Sequence, residues 1–246
     1  MMTRGWTGMA LAGVAMMLPA AAVAQANVCA IPNRIERPRP DLPSADQPVR
    51  KMPIASYTLA ISWSPEFCRN RSGAGRDGGN ADFQCGGDNS FGFVLHGLWP
   101  DGAGHSWPQY CNATPILTTK VIRQNLCSTP SAQLLQHEWA KHGTCMPGYD
   151  PERYFARSTG MFRKLRFPDM DALSRGNTTV GDFQRRFAAA NRLDPRSVRV
   201  TTKKSGGWLD EVWLCTNTAF RYQPCDADQG GGAPAGARLQ IWRGRR

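Results

Sequence analysis

A chain of 246 residues is long enough for one substantial domain with its own core, and a formal charge of +11 gives it a marked basic surplus. That surplus favours a polyanionic partner, whether nucleic acid, anionic lipid or acidic polysaccharide, without choosing among them. Eight cysteines with no C-x-x-C pair argue against a structural zinc site, and no stretch after the first 26 residues is apolar enough to span a bilayer.

Residues 1–26 read as an export signal. Arg4 is their only charge, an apolar run follows from Met9 to Val23, and Ala24-Gln25-Ala26 has the A-x-A form of a cleavage site. The run is short for a membrane span and no stop-transfer pattern follows it. A soluble mature chain starting near Asn27 is expected, with 29 basic against 19 acidic side chains, a net +10. All eight cysteines lie after the cleavage site, and an even count in an exported chain reads as four disulfides.

Residues 27–55 form a Pro-rich arm, with six prolines between 30 and 53, too many for a regular helix or strand. It is expected to be extended and pinned to the body through Cys29. The body, 56–246, opens with "YTLAISW" (57–63), which alternates like a strand, and a Gly-rich loop follows at 72–80. "FGFVL" (91–95) is a second, buried strand ending at His96. "PSAQLLQHEWAKHG" is a helix with Ser131 at its N-cap and Gly143 as its stop. "DPERYFARSTGMFRKL" is another, with Asp150 as N-cap and Pro151 at the first helical position. Thr179 and Asp182 resemble a capping box before "FQRRFAAANRL". "SVRVTT", "LDEVWLCTN" and "ARLQIW" read as strands. Strands and helices do not alternate regularly, which argues against a doubly wound parallel sheet. One α+β domain with a mainly antiparallel sheet is expected, and no internal repeat is visible.

Two segments carry the chemistry, "GFVLHGLWPDG" (92–102) and "HEWAKHGTC" (137–145). On a helix, with His137 at zero, Lys141 falls at about 40°, Glu138 at about 100° and His142 at about 140°. All four share less than half of the helix, while Trp139 and Ala140 point toward packing. A zinc motif, H-E-x-x-H, is the first rival, but here Lys141 stands where the second histidine belongs. Taken singly, His96 reads as a structural histidine and "HEWAKH" as a solvated, salt-bridged face. His105, among glycines, reads as a plain loop residue. Taken together, two imidazoles and an ammonium suit phosphoryl chemistry without a metal: one histidine as base, one as acid, and Lys141 against the anionic transition state. RNA brings its own nucleophile, the 2′-OH, so no serine or cysteine nucleophile is needed.

"FVLHGLWP" and "HEWAKHGTC" resemble the two active-site segments of the ribonuclease T2 family, exported endoribonucleases that include the bacterial periplasmic ribonuclease I type. "YTLAISWSPEFC" and "EVWLCTN" extend the resemblance over roughly 56–225, while the arm matches nothing in the family. The resemblance implies an α+β fold with a central antiparallel sheet, and no cofactor or metal. It implies His96 as general acid for the 5′-oxygen, His142 as general base for the 2′-OH, His137 as a phosphate contact, and Glu138 with Lys141 as stabilisers of the phosphorane. The product would be a 2′,3′-cyclic phosphate, hydrolysed more slowly to a 3′-phosphate.

The resemblance also implies three disulfides, Cys111–Cys145, Cys68–Cys85 and Cys215–Cys225, and leaves Cys29 with Cys127. Trp99, Asp101 and Trp107 resemble the base-binding region, although Trp99 also reads as a core tryptophan and a tyrosine is common near the place of Trp107. Leu134 stands where some relatives carry an aromatic residue, which implies broad base preference. The expected substrate is single-stranded RNA, not DNA, acted on by a monomer in the periplasm or outside the cell. An inert exported binder of polyanions is the rival class, and the presence of both His96 and His142 argues against it. N-x-S/T sites stand at Asn70, Asn112 and Asn177.

Overall fold

A computed structural model describes residues 28–71, 80–86 and 89–244. The expected export signal, Asn27 and all but the last residue of the Gly-rich loop lie outside the described residues. In chain order the elements are β1 (Ser56–Trp63), α1 (Ser64–Cys68), α2 (Asn80–Cys85), β2 (Phe93–Asp101), α3 (Thr119–Asn125), α4 (Ala132–Lys141), α5 (Pro151–Arg163), α6 (Met170–Arg175), α7 (Val180–Asn191), β3 (Val198–Thr202) and β4 (Leu209–Asn217). The four strands form one antiparallel sheet in the order β2-β1-β4-β3.

β1 lies inside the sheet and is buried almost throughout, because neighbours flank it on both sides. β2 is an edge strand, which is why it tolerates Pro100. It does not stop at His96 as the sequence suggested. It pairs with β1 from Trp63↔Phe93 to Ser56↔Asp101. The register passes from Ile61↔Leu95 to Ala60↔Gly97, so His96 is the extra residue of a bulge. A bulge re-aims the side chain it carries.

The helices begin where local chemistry starts them. Ser131 Oγ accepts from Leu134 N, Asp150 caps α5 with Pro151 behind it, and Thr179 and Asp182 form a full capping box on α7. α7 stops at Arg192, whose left-handed backbone (φ 57°) ends the helical path. "ARLQIW" forms no strand. Its strand-like pairings are isolated bridges, Thr179↔Arg238 and Trp208↔Gln240, although Leu239 and Ile241 are buried. Alternation there records burial of every second residue, not a ladder.

The core joins the sheet to the helices. Phe93 packs against Trp63 and Phe167, each with ring centroids 4.8 Å away, and α7 adds Phe183 and Phe187. Tyr154 of α5 is fully buried, and its hydroxyl accepts from Leu98 N (3.2 Å) and donates to Leu98 O (3.1 Å). The phenol is thus satisfied, and α5 is locked to β2. The loop before α4 is bonded to β2 at Leu95, which donates to Ser128 O (2.8 Å) and accepts from Thr129 Oγ1 (2.9 Å). These bonds set α4 beside the bulge.

Disulfides join Cys29–Cys127, Cys68–Cys85, Cys111–Cys145 and Cys215–Cys225. The arm has no helix or extended strand over residues 28–55, but it is held at several points. Beyond Cys29, Arg50 pairs with Gln109, Gln109 Nε2 donates to Pro48 O (2.7 Å), and Ala55 N donates to Asp101 O (2.8 Å).

Candidate active site

The bulge turns His96 across β1 toward β4. Its Nδ1 is hydrogen-bonded to the Glu211 carboxylate, which also accepts from Ser62 Oγ (2.9 Å) and Trp213 Nε1 (2.8 Å). The other nitrogen, Nε2, lies 3.4 Å from Glu138 Oε1. Burial alone would lower the His96 pKa. The bond to Glu211 and the negative charges of Glu138, Glu211 and Asp210 outweigh burial and raise it to about 9.

α4 supplies the facing groups. Glu138 is 1% exposed, and its Oε2 accepts from Trp99 Nε1 (2.9 Å). Burial raises its pKa, against the pull of His96, His137 and Lys141. Gly97 makes room for this carboxylate, since a Cβ there would overlap it and Trp99 Nε1. α4 ends at Lys141, two residues before Gly143, and His142 is its C-cap. Gly143 follows in a 3₁₀ turn, where a Cβ would strike the Trp139 ring.

His142 is buried, and its Nδ1 has no hydrogen-bond partner among the described residues. Burial and the positive fields of Lys141, His137 and His96 push its pKa well below the usual 6.5. Lys141 is lowered too, mainly by burial, with Glu138 and Asp41 opposing. His137 Nδ1 is bonded to Asp41 Oδ2 (2.5 Å), and its ring stands edge-on to His142, centroids 6.2 Å apart. The structure therefore brings His96, His137, Glu138, Lys141 and His142 into one neighbourhood. His137, Glu138 and His142 each offer a ligating atom within 4.8 Å of the others, so a cation could be held there. The Lys141 ammonium beside them opposes one.

Trp99 stands between the two histidines, ring centroids 5.1 Å from His96 and 5.6 Å from His142, and is backed by Trp213. It lines a cavity of about 250 Å³ with Thr58, Asp101, Trp107, His142 and Arg199. Asp101 accepts from Thr58 Oγ1 (2.8 Å), and burial raises its pKa to about 6 against that bond. Trp107 is 44% exposed and carries Arg50 over its ring, 5.3 Å from the centroid. His105 belongs to the exposed loop as expected, but it also lines this cavity. Leu134 is half-buried and is not among the cavity residues.

Several site residues escaped the sequence reading. Glu211 lies in "EVWLCTN", where a charge inside an apolar strand was its one signal. Arg199, on β3, and Thr58, on β1, reach the cavity only through the sheet order. Asp41 belongs to an arm whose composition suggested no site.

Residues 54–225 match the Ribonuclease T2 family. A "Probable ribonuclease" of Haemophilus influenzae is 38% identical over 128 residues, 48% of this chain and 46% of the relative. A "Ribonuclease" of Aeromonas hydrophila is 40% identical over 90 residues, 36% of each chain. The matches thus span less than half of either relative. Among solved structures, the S-like ribonuclease trichomaglin gives a TM-score of 0.58 at 20% identity, covering 76% of this chain and 98% of that one. RNase NT in complex with 5′-AMP gives 0.57 at 19%, covering 77% and 99%. At these identities the structures establish a shared fold.

Proposed function

The chain belongs to the ribonuclease T2 family, and on that premise we propose that it is an endoribonuclease cleaving single-stranded RNA by internal transphosphorylation. One observation carries the reading: two imidazoles flank Trp99 with pKa values displaced in opposite directions, His96 up to about 9 and His142 well below 6.5. At neutral pH the first holds a proton to give and the second can take one.

In the proposed reaction His142 removes the 2′-OH proton, and the 2′-oxygen attacks the adjacent phosphorus. His96 protonates the departing 5′-oxygen as the P–O5′ bond breaks. Lys141 and His137 meet the extra negative charge, and Glu138, when protonated, donates to a phosphorane oxygen. The 2′,3′-cyclic phosphate formed is then hydrolysed to a 3′-phosphate, with the two histidines exchanging roles. Trp99, Asp101 and Trp107 hold the base beside the cavity, with broad preference. No metal enters these steps.

DNA, lacking the 2′-OH, is not cut. The leader-like residues 1–26 and the four disulfides support an exported enzyme, periplasmic or secreted. Among the described residues no helix is long and apolar enough to cross a membrane. The test is an RNA oligonucleotide with one 2′-deoxynucleotide at a cut site. Loss of cleavage 3′ to that nucleotide alone is expected, and continued cleavage there contradicts the mechanism.

A further inference from the structure

We propose that Asp41, in the Pro-rich arm ahead of the family match, is a positioning residue of the active site that acts through His137. The inference rests on the ribonuclease reading for its kinetic consequence, but its geometry stands alone. Both carboxylate oxygens are used: Oδ2 accepts from His137 Nδ1 (2.5 Å) and Oδ1 accepts from the Tyr110 hydroxyl (2.9 Å). Tyr110 is itself fixed from the far side, because its backbone N donates to Lys141 O (2.8 Å) and Cys111 is disulfide-bonded to Cys145. The carboxylate thus clamps the loop after β2 to α4 at the level of the phosphate-contacting histidine.

The arm is built to deliver this group. Arg39 N donates to Gln133 Oε1 (2.9 Å) and Gln133 Nε2 donates to Arg39 O (3.3 Å), one helical turn before His137. Pro38, Pro40 and Pro43 surround Asp41, so the chain there reaches its extended path with little freedom left to lose. A carboxylate accepting from Nδ1 holds the ring in one orientation and leaves Nε2 as the nitrogen that, when it carries a proton, donates to a phosphate oxygen. A polypeptide stretch that looks like a spacer therefore completes the phosphate corner.

The experiment compares the parent with Asp41→Ala, Asp41→Asn and His137→Ala, singly and as the Asp41→Ala/His137→Ala pair. Asp41→Ala is expected to lower kcat/KM on a short RNA about tenfold. Asp41→Asn restores most of it, since an amide oxygen still accepts from Nδ1. In the His137→Ala background Asp41→Ala changes activity less than twofold, because its effect passes through the missing ring. Nitrogen NMR of the His137 ring shows Nδ1 protonated and hydrogen-bonded in the parent, and that hydrogen bond lost in Asp41→Ala. Equal loss in both backgrounds, or an unchanged His137 Nδ1 signal, overturns the inference. A parent that leaves RNA uncut overturns the ribonuclease reading instead, while the NMR comparison still decides the role of Asp41.

Discussion

His96 Nδ1 is bonded to the Glu211 carboxylate, and this bond across β1 leaves Nε2 facing Glu138 Oε1 at 3.4 Å. The acid of the proposed relay is therefore held and charged by a residue on β4, two strands away. Its raised pKa makes Glu211 the main lever on the alkaline side of activity. In Glu211→Gln the alkaline limb of the pH–rate profile should move from about 9 toward neutrality, with roughly a tenfold loss at pH 8. Stability follows the same sign. A histidine raised above its ordinary value stabilises the fold fully below about 6.5, and that contribution disappears as pH rises through about 9. Urea midpoints measured from pH 6 to pH 10 should fall less in Glu211→Gln than in the parent. An unmoved alkaline limb would show that His96 is not the acid.

His142 governs the acid side. Its depressed pKa keeps the ring neutral, so the acid limb should lie below 6.5. His142→Phe should reduce cleavage by about 10²–10⁴-fold. RNA binding, read by fluorescence anisotropy, should persist. The fold should also persist, because Phe fills a similar space beside Trp99 and removes a buried Nδ1 that has no partner. Equal turnover in this variant would remove His142 from the mechanism.

The part of the site carried by one contiguous segment was legible in the sequence. Helical spacing alone put His137, Glu138, Lys141 and His142 on one side of α4, and Ser131, Asp150 and Thr179 announced three helix starts. What needed pairing across the sheet was not legible. The bulge at His96 exists only in the register between β1 and β2, and Glu211 reaches His96 only because β4 lies beside β1. Asp41 was hidden for a different reason: six prolines correctly exclude helix and strand, but they say nothing about what the extended chain touches. "ARLQIW" misled because period-two burial does not require a paired strand.

Gly97 sets the clearance for the buried carboxylate. Gly97→Ala would force a methyl group into Glu138 and Trp99 Nε1. Overpacking of this kind costs about 1–3 kcal/mol of stability. Calorimetry should show the lower melting temperature, and kcat should fall with it because Glu138 and Trp99 are displaced together. A variant with parental activity and stability would mean that the carboxylate has room to spare.

Asp101 should make base selection depend on pH. Its pKa of about 6 lets the carboxyl donate as well as accept below that value and only accept above it. Cleavage ratios among adenine, cytosine and uracil substrates should therefore differ between pH 5 and pH 7, favouring bases with an exocyclic amino group at pH 7. Asp101→Asn should flatten the difference. Ratios that stay constant in the parent would place base recognition elsewhere.

The central claim, two imidazoles moving protons across one phosphodiester without a metal, is tested most directly by the fragment ends. A short RNA of defined sequence is digested in EDTA and followed by mass spectrometry. Undiminished cleavage is expected, with 2′,3′-cyclic phosphate ends appearing first and 3′-phosphates replacing them. Fragments bearing 5′-phosphates, or activity lost to EDTA and restored by a divalent ion bound at His137, Glu138 and His142, would contradict it.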